Sequence, residues 1–328
     1  MATKKAKSTP KKLSRTSTEQ TMGKIQKALA GKHFATMGDL NKFLSTLTGP
    51  GSFGAPGDIE LSDKEAAQEL AFDAMEAESA AQARKLAKRA LALDPDCVDA
   101  LVVLTELDAD SPRKGIEGLR KAVEAGERSL GAAFIRKNTG HFWALLETRP
   151  WMRALESLAE AYRSQGIHLD AIRIYERMLE LNPNDNQGVR DLLLGLYLVV
   201  GDLSGAGRLL EKYKNDSMAN FAWGRVLERY LSGDEDGAVK ALKAACQTNE
   251  HVVLYLTGQR KLPNALPELY SPGSEEEAVL CIDTLGAAWA GHMEALIWLA
   301  EQCVSGPSAA DDSKPTRTKK RTARSRIQ

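Results

Sequence analysis

The chain is poor in the residues and spacings that mark catalytic and metal centres. Its four cysteines, Cys97, Cys246, Cys281 and Cys303, lie far apart and form no Cys-x-x-Cys pair. That argues against a disulfide or zinc framework and suits small core residues in a reducing compartment. The five histidines, His33, His141, His168, His251 and His292, fall in separate segments with no His-Glu-x-x-His arrangement, so no metal is expected. There is no Gly-x-x-x-x-Gly-Lys loop followed by Ser or Thr, no Gly-x-Gly-x-x-Gly after a strand, and no Gly-x-Ser-x-Gly elbow. Nucleotide chemistry and an exposed serine nucleophile are both unsupported, and the reading is a protein that is not an enzyme and takes no cofactor. The longest apolar run, Leu192 to Val200, falls well short of the roughly 20 residues of a membrane helix. The N-terminal charges are followed by no apolar stretch, so no secretory signal is read and the protein is expected to be soluble and cytoplasmic, without membrane insertion.

An excess of one charge is also missing, with 44 Lys and Arg against 44 Asp and Glu. The balance hides an asymmetry along the chain. Residues 1–32 carry nine Lys or Arg against Glu19 alone, and residues 313–328 carry seven with no acid. The 33–312 body is left with 28 basic and 43 acidic residues, a formal charge of −15. Residues 1–32 and 305–328 have little to bury and are expected to be disordered basic tails. Such tails can hold nucleic-acid phosphates by counterion release, can act as solubilising segments, or can fold onto the acidic body of their own chain.

What is present is apolar residues at helical spacing, with a hydrophobic content of 43% and only 6% aromatics, which predicts an all-α protein. His33 to Leu47 reads as a short docking helix capped by Asp39, and the Gly- and Pro-rich Thr48 to Asp58 as a linker, so that 33–60 separates the first tail from a helical domain over 61–304. That domain opens on Ser62 and Glu65, spaced as a capping box. Ala67, Leu70, Ala71 and Ala74 form one stripe and Ala83, Ala87 and Ala90 the next. A further unit over about Val98 to Gly126 has Leu101, Leu104 and Leu107 on its first helix and Ile116, Leu119 and Val123 on its second, with Glu127 to Pro150 as an irregular insert. Gly258 to Ser274 breaks the pattern, Ser274 and Glu277 restart it, and a last pair bearing Trp289 and Trp298 reads as a cap.

The stretch Met152 to Asn184 is the clearest unit. Leu155, Leu158, Ala159 and Tyr162 share one helix face, Gly166 sits at the turn, Ala171, Tyr175 and Met178 share a second face, and Pro183 ends the unit. The pattern returns at a shift of 35 as Tyr197, Gly201, Ala206 and Leu210, and near 67 as Trp223, Tyr230, Gly233, Ala238 and Leu242. This is the spacing of a tetratricopeptide unit, and it predicts an α-solenoid of antiparallel helix pairs. First helices would then line a groove that exposes Arg153, Glu156, Glu160 and Arg163 in one unit and Gly188, Asp191, Gly195 and Leu198 in the next. Arg153, Glu156, Glu160, Arg163 and Asp191 are the expected contacts to an unidentified protein or peptide. A second candidate site is the cluster His141, Trp143 and Arg149, where Arg149 can clamp a carboxylate beside an aromatic wall. The alternative there is that Phe142, Trp143 and Trp151 anchor the insert.

Gly140-His-Phe-Trp, Leu145-Leu-Glu-Thr-Arg-Pro, the run Leu181-Asn-Pro-Asn-Asp-Asn-Gln-Gly-Val-Arg, and Pro272-Gly-Ser-Glu-Glu-Glu-Ala together resemble a bacterial group of tetratricopeptide proteins similar to the suppressor of tumorigenicity seven family. The likeness spans roughly Leu61 to Leu299 and implies a helical repeat protein with no established biochemical activity; it names no catalytic residue. Two functions follow as expectations: a scaffold that binds a peptide or partner helix in its groove, or a nucleic-acid-associated factor whose tails hold phosphates while the acidic body recruits a protein.

Overall fold

The computed structural model describes residues 15–29, 31–48 and 61–305. Among these residues the regular elements are sixteen α-helices and two short 3-10 turns, with no strand, as the composition leads one to expect. By compactness the chain divides into two units between Leu196 and Tyr197.

The first unit begins with α1 (Arg15–Leu29), α2 (Met37–Thr48), α3 (Asp63–Met75), α4 (Ala80–Leu93), α5 (Val98–Asp108), α6 (Pro112–Leu130) and α7 (Ala132–Asn138). Two 3-10 turns, Phe142–Ala144 and Leu146–Thr148, lead into α8 (Arg149–Ser164) and α9 (His168–Leu181), and α10 (Val189–Val200) crosses the division. Helices pack as neighbours in sequence: α3 on α4, α5 on α6, α8 on α9. The leading members α3, α5 and α8 also touch in series, which sets three helices of the first unit side by side.

Local sequence explains these elements. Ser62 accepts from the Glu65 amide while Glu65 accepts from the Ser62 amide, so the expected capping box starts α3. Ala67, Ala71 and Ala74 meet Ala83, Ala87 and Ala90 in one core cluster, where the small side chains allow α3 and α4 to approach closely. α6 reaches α8 through Gly126, at which an added Cβ would lie 2.3 Å from Trp151 Cδ1. The turns after α8, α10 and α12 (Ala219–Leu231) share one device: Gly166, Gly201 and Gly233 take φ of 70, 74 and 75°, a left-handed conformation that favours glycine.

Three expectations need correction. Residues 15–29 of the presumed disordered tail form α1, held by charges on helices distant in sequence; the rest of residues 1–14, and the tail from 306, lie outside the described residues, as does most of the Thr48–Asp58 linker. The cap of α2 is Thr36, whose hydroxyl accepts the Asp39 amide at 3.1 Å while Asp39 Oδ2 accepts the Thr36 amide at 3.2 Å, so Asp39 is the reciprocal partner rather than the cap. In α5, Val98, Asp99, Ala100, Val102 and Val103 are buried, and the half-buried Leu104 and Leu107 pack against the core cluster of α3 and α4. The insert is also more regular than expected, because α6 runs without a breaker until Gly131 at φ 78°.

The second unit contains α11 (Leu203–Lys212), α12, α13 (Glu235–Thr248), α14 (Val252–Leu256), α15 (Glu275–Ala290) and α16 (Met293–Ser305). α12 is central and packs on α11, α13, α15 and α16, with Trp223 fully buried. Ser274 caps α15 as expected, but Glu277 does not complete a box with it. Its buried carboxylate instead accepts from the amides of Ala219 at 3.0 Å and Gly273 at 2.7 Å and from Asn249 Nδ2 at 3.0 Å, pinning the start of α12 to the start of α15.

Candidate functional site

Among the described residues, a network of charged groups lies on the side-by-side helices α3, α5 and α8. Asp99, in the first turn of α5 where the helix dipole favours an anion, is fully buried. Arg153 of α8 grips it with two bonds, Nε to Oδ1 at 3.0 Å and Nη2 to Oδ2 at 2.6 Å, and Gln68 of α3 donates to Oδ2 at 2.7 Å. Arg149 stands one turn before Arg153 on the same face of α8. Its guanidinium lies 5.0 Å over the Trp143 ring and donates from Nε and Nη2 to the Trp143 carbonyl, each at 3.2 Å. Both arginines keep an Nη1 group turned to the same point outside the three helices.

That point is occupied by Glu19 of α1. Arg153 Nη1 donates to both Glu19 oxygens, at 3.0 and 2.8 Å, and Arg149 Nη1 to Oε1 at 3.3 Å. Along α3 the same helix makes further polar contacts. The Thr16 hydroxyl donates to Glu76, Gln20 reaches Glu69 at 3.4 Å, Lys24 lies 3.9 Å from Glu69, and Lys27 lies 2.8 Å from Glu65. As numbers rise along α1 they fall along α3, so the two helices run antiparallel. None of the residues of α1 whose burial is described is fully buried, and Met22 is 43% exposed; the helix lies on the surface rather than inside a core.

The electrostatics agree with the geometry. Burial alone would lower the Arg153 pKa, but Asp99 and Glu19 outweigh it and hold the guanidinium above its ordinary value. The hydrogen bond from Lys27, followed by those from Ser62, brings the Glu65 carboxyl down from 4.5 to about 2. Burial raises the Glu69 carboxyl, with Lys24 opposing and Asp73 assisting.

Of the expected contacts, Arg153 is at the centre of this cluster, and Arg149 and Trp143 of the second candidate site join it, so the two sites merge. His141 is exposed and enters only through its backbone, accepting from the Ala144 amide at 3.1 Å. Glu156 lies a turn further on and accepts from Gln187 Nε2 at 2.5 Å. Glu160 and Arg163 pair with each other at 2.7 and 2.8 Å, and Asp191 is half-buried on α10. Gly195 and Leu198, expected to be exposed with them, are buried. Phe142 and Trp151 do anchor the insert, fully or almost fully buried with ring centroids 5.7 Å apart, and the Gly140 amide donates to the Leu181 carbonyl at 3.0 Å. The Asn-Pro-Asn-Asp-Asn-Gln-Gly run is a turn: Asp185, at φ 50°, accepts the amides of Val189 at 2.9 Å and Arg190 at 3.1 Å and so starts α10.

Glu19, Gln68 and Asp99 were not singled out in the sequence. Glu19 carried a signal, as the single acid of a basic segment; a carboxylate at the head of the apolar Val98–Asp108 helix was the other. Among the described residues no group of three or more His, Cys, Asp or Glu is placed to hold a metal, and no helix is long and apolar enough to cross a membrane. Comparison with known proteins finds no family model that matches the chain and no curated protein similar to it.

Proposed function

We propose that the chain is a protein-interaction scaffold of tetratricopeptide-like helix pairs, and that the surface of α3, α5 and α8 receives a partner helix. The observation that carries this reading is the Arg149–Arg153 pair. Each guanidinium is fixed from behind, by Trp143 and by Asp99, with one donor left aimed outward at a carboxylate borne on a helix. Groups held in place in advance lose little freedom on binding, which is how a small polar surface gains affinity. A helix laid against such a surface is an established mode of recognition. The resemblance of the Asn-Pro-Asn-Asp-Asn-Gln-Gly run to the suppressor of tumorigenicity seven group points the same way, toward a helical repeat protein.

The test is an affinity capture from native lysate with full-length protein and full-length Arg149→Glu, with and without nuclease. A protein recovered by the wild type, lost with the variant and indifferent to nuclease supports the reading. Recovery that is identical for both proteins, or that vanishes with nuclease, overturns it and favours the nucleic-acid alternative. That alternative has less support in residues 15–29, since Lys27 is paired with Glu65 at 2.8 Å.

A further inference from the structure

We infer that α1 is a displaceable occupant of its own chain's docking surface, and that the partner it holds off is a helix with the same charge order: one carboxylate for Arg149 and Arg153, and an ammonium group two turns later for Glu65. The inference rests on the reading of the α3, α5 and α8 surface as a helix-binding one, and it adds what the helix must carry and what must leave first.

Three observations support it. The contacts of α1 to the surface are charged or polar at Thr16, Glu19, Gln20, Lys24 and Lys27, so the helix is held by pairings that a second helix can reproduce. The eight residues from Glu19 to Lys27 advance about 12 Å along a helix, which sets the spacing a competitor needs. The helix is also basic where the surface is acidic: Glu65 and Glu69 of α3 and Glu76 at its C-terminal cap face it, and Glu19 is where the sign inverts, opposite two arginines. A helix of the wrong polarity or spacing sets like charges together, which gives the surface its selectivity. Because α1 is tethered to the same chain, its effective concentration at the surface is on the order of millimolar, and a partner in trans competes only to the extent that the surface is open.

The experiment uses full-length protein, full-length Glu19→Lys, and a fluorescein-labelled peptide of sequence Arg15–Leu29. Glu19→Lys places a third cation against Arg149 and Arg153. Hydrogen exchange of residues 15–29 then reports release of α1, circular dichroism reports the intact fold, and anisotropy reports peptide binding. The expected result is loss of α1 protection in the variant and peptide binding at least about tenfold tighter than to the wild type, with no binding of a peptide that itself carries Glu19→Lys. Equal affinity for the two proteins overturns α1 as the occupant while leaving a helix-binding surface. Unchanged protection of α1 in the variant overturns the role of Glu19. Equal binding of the two peptides overturns the charge order, and a released α1 with no peptide binding overturns the helix-binding reading together with the inference.

Discussion

Arg153 and Asp99 form a two-bonded pair in which the carboxylate is fully buried and the arginine side chain is 25% exposed. The asymmetry means that the two residues are not equivalent partners. Arg153→Ala leaves a buried carboxylate with Gln68 alone, and removal of one member of such a pair costs roughly 3–5 kcal/mol. Urea denaturation should show that loss. The Asp99→Ala, Arg153→Ala double variant should be more stable than Arg153→Ala, because it removes the stranded charge. A single variant within about 0.5 kcal/mol of wild type would mean that water reaches Asp99 freely.

The docking of α1 should weaken in acid. Glu65 has a folded-state pKa of about 2, below its ordinary 4.5, so its contribution is complete above 4.5 and is lost as pH falls from there through about 2. Lys27 is the leading cause of that depression, so Lys27→Ala should bring the Glu65 titration back toward its ordinary range. Carboxyl resonances followed by NMR in both proteins test this; coincident titrations would disconnect α1 from Glu65.

Gly126→Ala should strike the contact between α6 and α8. The added methyl meets Trp151 at Cδ1, Cγ and Cβ, at 2.3, 2.8 and 3.0 Å, and Trp151 is itself buried, so a helix rather than a side-chain tip must yield. Overpacking of this kind costs about 1–3 kcal/mol, in spite of the better helix propensity of alanine. Thermal unfolding of the variant beside Gly131→Ala, whose added Cβ meets open space but whose φ is strained, separates crowding from backbone strain.

In the second unit, Glu277→Gln should destabilise although its size is unchanged. The carboxylate faces three donors, from Ala219, Gly273 and Asn249. Glutamine offers one acceptor oxygen and turns an NH2 toward the remaining donors, leaving at least one buried group unpaired at about 1–3 kcal/mol. A lower midpoint in urea, read from the fluorescence of the buried Trp223 and Trp289, is the expected outcome; an unchanged midpoint would show that the site relaxes.

Much of this architecture can be read from neighbours in sequence. The Ser62–Glu65 box, the alanine stripes of α3 and α4, and the glycines at 166, 201 and 233 are local devices, and their physics acts within a turn or two. The site is different. Arg153 stands out as a cation on a predicted groove face, but its partners Asp99 and Glu19 are 54 and 134 residues away, and spacing within one helix says nothing of them. α1 itself looks disordered by composition because that criterion weighs apolar burial, whereas charges on α3 and α8 hold the helix in place.

The sequence distance between Glu19 and its arginines also orders events at the ribosome. α1 is made before the helices that receive it, and α8, which supplies Arg149 and Arg153, emerges 130 or more residues later. At roughly 5–20 residues per second, the nascent α1 spends on the order of ten seconds before the two arginines that receive Glu19 have been made. A helix of this length is marginal alone in water, so the anchorage of α1 through Glu19 waits for α8, and the helix completes its docking on a surface made after it.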